Sequence, residues 1–513
     1  MSALTSLNSR RRNAEITDLG HEPTVDVLVI GGGVTGVGVA LDAASRGLSV
    51  VLAERHDLAY GTSRWSSKLV HGGLRYLASG RVKIAYESAV ERGTLIERNA
   101  PHLIRPLPQV VPLLPSTGLW RAGLIRTGYF AGDLLRMAAR TPSHTLPRSH
   151  KVTSVQMRSY APTIRTAGLR GGLVFWDGQL VDDSRLVVAI ARTAAGYGAK
   201  ILTRCAATDV TDHGATLHDT VTDTDIPIRA RSVINASGVW ASQVAKDVTV
   251  RPSRGTHLVF PREAFNGLAA GLTVPVGGET SRFVFALPAD GRVYVGLTDE
   301  DAPGPIPDVP RATEAEIDFL IDTINTALAK PLSREDMLGT YSGLRPLVDT
   351  GSGQASDVSR KHAIIASANG PITVIGGKLT TYRRMAEDAV DAAVERHGLH
   401  ARACVTKNLP LVGATDRDTL SMIPAPPRLV RRYGTEAVKV LNMAAHNPTL
   451  LEPVAVGVDT TMAEFLFAVQ HEGALDEADI LDRRTRLGLS PADREAAAPS
   501  ARGALLSSDG IHH

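Results

Sequence analysis

Short apolar runs alternate with longer amphipathic ones along most of the chain. VDVLVI (25–30) is β-branched or aliphatic nearly throughout and ends at a glycine cluster, as a strand buried on both faces does. GGGVTGVGVALDAASRG then turns and continues as a helix with small residues on one side, and LSVVLAER reads as the next buried strand. These three pieces make one βαβ unit. Two later segments repeat the run from a strand into a glycine turn: ARSVINASGVW at 230–240 and PITVIGGKLTTYRRMAEDAVDAAVER at 371–396. The second half of the latter has helical periodicity. THLVF, SRFVFAL and RVYVGLTD lie between them and predict an antiparallel sheet.

The pattern predicts an α/β chain with a Rossmann-type nucleotide-binding domain built from discontinuous segments, about 24–80, 170–250 and 340–400. A second, antiparallel-sheet domain is inserted through about 81–169 and 251–339. Residues 1–23 read as a flexible polar lead and 401–490 as a helical domain. The Ala/Ser-rich stretch 491–513 is low in bulky apolar residues and is expected to be disordered.

Composition narrows the classes. Lys+Arg total 56 against Asp+Glu 53, with no long basic run, which argues against a nucleic-acid partner. Cys205 and Cys404 lie far apart without metal-ligand spacing and read as reduced thiols of a cytosolic protein; no metal site is expected. Arg10, Arg11 and Arg12 are followed by NAEITDLGHEP rather than an apolar run, so a twin-arginine signal is not read there. No run of about 18 apolar residues suggests a membrane span.

The chemistry begins at Gly31, Gly33 and Gly36, a G-x-G-x-x-G between strand and helix. The first glycine permits the turn, the second lets backbone approach a pyrophosphate, and the third packs helix on strand. The helix N-terminus offers free N–H groups to phosphate. Glu54 ends the second strand, where a carboxylate accepts from ribose hydroxyls. The fingerprint alone does not separate FAD from NAD. Further glycine turns do: Gly72-Gly73 would let backbone approach a flat ring, and the helix after Gly376-Gly377 could face the pyrimidine end of a flavin.

GGGVTGVGVALDAASRGLSVVLAER, SSKLVHGGLRYL (66–77), SGLRPL and IGGKLTTYRRMAEDAVD together resemble the FAD-dependent glycerol-3-phosphate dehydrogenases. These are the aerobic, quinone-linked members of the D-amino-acid-oxidase-like flavoproteins. The resemblance spans about 25–487. It implies non-covalent FAD, a substrate domain over the flavin and a C-terminal helical cap. It also implies oxidation of sn-glycerol 3-phosphate to dihydroxyacetone phosphate, with electrons passing to membrane quinone. By resemblance, Thr35, Arg55, Thr62, Ser63, Ser66, Ser67, Leu69 and His71 line the FAD beside the glycines. Gly238 and Trp240 of an Asn-Ala-x-Gly-x-Trp turn join them, as do Gly377, Lys378, Leu379 and Thr380. Arg75 and Tyr76 follow as substrate contacts, and Thr381 is a further candidate that could instead cap its helix. An arginine fork gives phosphate two parallel bonds that lysine cannot match.

Oxidation at C2 needs a base for the hydroxyl proton. His257, in RGTHLVF, is the candidate base or its partner. Arg345, in SGLRPL, is expected near the reacting carbon or the phosphate, and Lys378 opposes a helix dipole that only an anion would offset. In the stretch TGLWRAGLIRTGYFAGDLLRM, Leu119, Trp120, Leu124, Phe130, Leu134, Leu135 and Met137 share one face. Arg121, Arg126, Arg136 and Arg140 gather on the other. Such a helix could lie on the cytoplasmic face of a membrane, or pack on a core with its basic side solvated. A dimer is the oligomer considered. An oxygen-using oxidase, or another flavin oxidase of the superfamily, remains the rival reading.

Overall fold

A computed structural model describes residues 2–21, 24–73, 81–277, 282–348 and 361–509. Two sheets organise it. The first runs Ala363–Ala366, Ile372–Ile375, Thr224–Asn235, Thr24–Ile30, Val50–Ala53, Lys200–Leu202. The four central and outer pairings from Ile372–Ile375 to Lys200–Leu202 are parallel. Along Thr24–Ile30 the side chains alternate between cores. Val27 and Val29 pack with the helices Val34–Ser45, Asp183–Gly196 and Tyr382–His397, while Leu28 and Ile30 pack with Leu217 and Ile226 on the other face. Both faces are covered, as a continuous apolar run requires.

The second sheet runs Glu300–Asp301, Val250–Pro261, Arg292–Gly296, Phe283–Ala289, Gly271–Pro275, Ile104–Pro112, Gly172–Leu180, Leu69–Val70. Gly339–Val348 adds antiparallel to Val250–Pro261. The helix Glu314–Asn325 closes its core beneath. The sheet is mainly antiparallel, but Gly271–Pro275 pairs parallel with Ile104–Pro112.

The structure corrects several boundaries. Leu69–Val70, Gly172–Leu180 and Gly339–Val348 fall inside stretches read as nucleotide-binding, yet they belong to the second sheet. Residues 1–23 are not a flexible lead over their described part. Ser9–His21 is a helix, with Leu19 buried and Arg12 paired with Asp219 at 2.5 Å. Its docking face is Leu19, Ile16 and the stems of charged residues, too few apolar positions for hydropathy to register. The expected disordered tail is the helix Pro491–Asp509. Ala497, Ala501 and Ala504 are fully buried against a core that contains Phe465 and Leu466. Small residues at helical spacing permit close approach without bulk.

The helix Leu119–Ala138 reverses the usual orientation. Tyr129 and Arg136 face inward, and Arg136 Nη1 donates to Thr141 O at 2.8 Å. Trp120 is 85% exposed and Phe130 61%, with Leu124, Leu134 and Met137 exposed beside them. Of the basic residues, Arg136 is buried, Arg121 and Arg126 are half-buried and Arg140 is exposed. No helix among the described residues is long and apolar enough to cross a membrane.

Candidate active site

One cavity of about 1650 Å³ runs from the glycine fingerprint to the second sheet. Gly31 has φ +108°, and a Cβ at Gly36 would fall on Gly31 O, so the turn and the helix contact both need glycine. Gly31, Gly33 and Thr35 line the cavity, whereas Gly36 backs the turn. Glu54 lines it too, accepting from Gly32 N at 2.6 Å and His56 N at 2.8 Å. Arg55, Thr62, Ser63, Ser66, Ser67, Leu69 and His71 border it as well. Several of their hydroxyls hold the wall together. Ser63 Oγ accepts from Val34 N at 2.8 Å, Thr62 Oγ1 donates to Leu344 O at 2.6 Å, and Ser66 Oγ donates to Asp183 Oδ2 at 2.8 Å.

Gly238 and Trp240 lie at the far wall, on a turn set by Asn235, whose Oδ1 accepts from Ser237 N and Oγ. Gly377, Lys378, Leu379 and Thr380 complete that side. Two glycine-pair expectations shift. Gly72 does not line the cavity: its N–H donates to Asp177 Oδ1 at 3.0 Å, and a Cβ there would stand 2.8 Å from Arg92 Cζ. Gly73 also lies off the lining, at φ +75°. Thr381 is buried in the helix-start turn, where its hydroxyl donates to Lys378 O at 3.2 Å, so it does not border the cavity. Arg75 and Tyr76 lie outside the described residues.

The second sheet contributes the chemistry. His257, only 2% exposed, borders the cavity with its Nε2 2.8 Å from Ser67 Oγ. Its ring stacks on Tyr341 at 4.6 Å and lies over Gly296, the residue opposite on the next strand. Burial, then the ammonium of Lys68 and the guanidinium of Arg345, hold its pKa well below the ordinary histidine range, with Asp183 opposing. The imidazole is neutral at physiological pH. Arg345 sits over Gly255, where a Cβ would stand 2.7 Å from Cζ. Its Nη1 donates to Asp299 Oδ1 at 3.2 Å and its Nη2 to Thr298 O at 3.3 Å. Lys378 Nζ donates to Ser88 Oγ at 2.5 Å. Thus glycines on neighbouring strands make room for two long side chains, and a carboxylate aims one of them.

Sequence reasoning missed the stack of His56 on Tyr60 at 3.9 Å beside the cavity. It also missed Tyr129 and Phe175, whose rings close the end beneath the exposed helix, 4.4 Å apart. Neither lies in a motif. No cluster able to hold a metal ion exists among the described residues.

A glycine cradle on a parallel sheet, facing an antiparallel sheet across one cavity, is the layout of a dinucleotide-binding enzyme. The sequence matches the family described as FAD dependent oxidoreductase over residues 26–383, and the C-terminal domain of alpha-glycerophosphate oxidase over 404–507. It is 56% identical to glycerol-3-phosphate dehydrogenase 1 of Mycobacterium tuberculosis over 499 residues, 96% of each chain. The solved glycerol-3-phosphate dehydrogenase from Bacillus halodurans complexed with FAD superposes with a TM-score of 0.74 at 26% identity, covering 97% of this chain and 94% of that one. The L-alpha-glycerophosphate oxidase of Mycoplasma pneumoniae shares the fold at TM-score 0.56 and 17% identity, covering 76% of this chain and 99% of that one. The chain belongs to the FAD-dependent glycerol-3-phosphate dehydrogenase family, and its cofactor is FAD. The residues present fit that cofactor: the strained Gly31 turn and the glycine-only contact at Gly36 leave a backbone cradle open to the long cavity.

Proposed function

We propose that the protein oxidises sn-glycerol 3-phosphate at C2 to dihydroxyacetone phosphate and that the electrons pass to a membrane quinone. The observation that carries this reading is the meeting of His257, Arg345 and Lys378 with the glycine cradle in one cavity. Bound FAD supplies the two-electron acceptor. His257, neutral and buried, takes the hydroxyl proton. Arg345, fixed by Asp299, meets the phosphate or the developing alkoxide. Lys378 adds a second cation, and Arg75 and Tyr76 are assigned to the phosphate by resemblance.

The outward Trp120 and Phe130 support peripheral attachment to the cytoplasmic face of the membrane, since a water-facing helix normally turns such residues inward. The match of residues 404–507 to an oxidase-named domain favours oxygen as the alternative acceptor. Anaerobic mixing of the yellow protein with sn-glycerol 3-phosphate tests the reading. Bleaching of the flavin, absent with plain glycerol, is expected; no bleaching would refute the substrate. Readmitting oxygen or a quinone analogue then separates oxidase from dehydrogenase.

A further inference from the structure

Lys68 is a charged residue of the 66–77 stretch that no role has absorbed. Its side chain is 1% exposed and its backbone is left-handed, at φ +56°. Lysine rarely adopts either state, and rare backbone states persist only where surroundings enforce them. Nζ lies 3.4 Å from Asp183 Oδ2 and donates to Ser66 O at 3.3 Å. It also sits 4.7 Å from the ring centroid of Tyr341 and 5.1 Å from that of Tyr294. The backbone is tied on both sides: Lys68 N donates to Ser66 Oγ at 2.9 Å, and Lys68 O accepts from Leu180 N at 2.8 Å. Ser67, held between these ties, presents its hydroxyl to His257 Nε2. Tyr341 carries the His257 ring and donates to Ser66 O at 3.1 Å.

We propose that Lys68 is a positioning residue for His257, setting the Ser67 hydroxyl on Nε2 and fixing the Tyr341 ring against which the imidazole stacks. The proposal rests on the reading of His257 as proton acceptor. Electrostatics support it. Burial lowers the Lys68 pKa to about 8, opposed by Asp183, so the side chain remains largely cationic at neutral pH. That cation, with Arg345, disfavours imidazolium, while Asp183 favours it. Arg486 and Asp182 face Lys68 from the far side with opposing effects. Tyr294 and Tyr341 face it with phenols whose pKa values burial raises.

Holoenzyme variants K68M, K68R and H257Q test this by anaerobic flavin reduction with sn-glycerol 3-phosphate across pH. Removing the ammonium leaves Asp183 facing the imidazole, so the His257 pKa should rise and the acid limb with it. For K68M that limb should move up by about one pH unit or more. The limiting rate at neutral pH should fall ~10-fold. Half-saturation should change less than about twofold, and K68R should restore the limb. The proposal is overturned if K68M binds FAD and keeps the limb within about 0.2 unit. Should K68M lose FAD, K68M/D183N, which removes both buried charges and with them the cause of the limb shift, is judged on the limiting rate at neutral pH: a ~10-fold fall is expected, and a wild-type rate overturns the proposal. Loss of FAD in both would also overturn it, because the pair would then serve the fold rather than His257. H257Q separates the two readings. If it keeps the wild-type limb, the acceptor assignment fails. If it loses the limb while K68M keeps it, only the role of Lys68 fails.

Discussion

Replacing Gly296 with alanine tests the placement of His257 without removing any functional group. The added Cβ would overlap His257 Cδ2 and stand 2.8 Å from Cγ and 2.9 Å from Nε2. Relaxed contacts need about 3.5 Å, so the ring must move by about 1 Å or more, or tilt off its stack. It has little freedom to do so, pinned by Ser67 at 2.8 Å and by Tyr341 at 4.6 Å. Overpacking of this kind costs about 1–3 kcal/mol, which the fold tolerates. A misplacement near 1 Å at a reacting group costs up to ~10²-fold in rate. Stopped-flow flavin reduction of G296A should therefore slow by ~10- to 100-fold, with FAD content and visible spectrum unchanged. Reduction at the wild-type rate in a fully flavinylated G296A would refute the positioning of His257 by this glycine.

Other perturbations reach the rest of the structure. Burial alone would raise the Asp57 carboxyl, but Arg484 and then Arg483 outweigh it and hold it well below the usual range. D57N leaves Arg484 buried without its carboxylate and Arg483 with Asp479 alone, so urea unfolding should show a loss of about 3–5 kcal/mol. Because the Asp57 pKa is depressed, its stabilisation is complete above about pH 4 and is lost only as pH falls through the folded-state value. Acid unfolding of D57N should lack that component. W120S/F130S should stay behind when anionic vesicles are sedimented, yet keep full flavin reduction by substrate. A501L in the last helix should lower stability by about 1–3 kcal/mol by overpacking, measured by thermal unfolding, with little effect on flavin reduction.

The parts of the molecule legible in the sequence were those with local causes. The strand Thr24–Ile30, the helix Val34–Ser45 and the glycines between them announce themselves within about twenty-five residues. Part of the cavity wall was equally visible as motifs, from Thr62 to His71 and from Gly377 to Thr380. What the sequence hid depends on partners distant along the chain. Lys68 matters through Asp183 and Tyr341, and nothing near position 68 reports either. Leu69–Val70 reads as part of a nucleotide loop because its strand neighbour, Gly172–Leu180, lies far downstream. Ser9–His21 and Pro491–Asp509 lack bulky apolar faces and so resembled free ends. Thr381 shows a different limit: membership in a motif does not say which way a hydroxyl turns.

The chain passes from the first sheet to the second and back twice before its last strand. Neither sheet is therefore a contiguous stretch that could be cut out, transplanted or folded ahead of the other. Closing the second sheet requires Leu69–Val70 to find Gly172–Leu180, and Val250–Pro261 to find Gly339–Val348, each across a loop of many tens of residues. Unravelling one sheet therefore releases the segments that lead into the other. An inherited substitution deep in the second sheet should then lower cellular flavoprotein abundance as surely as one in the glycine cradle.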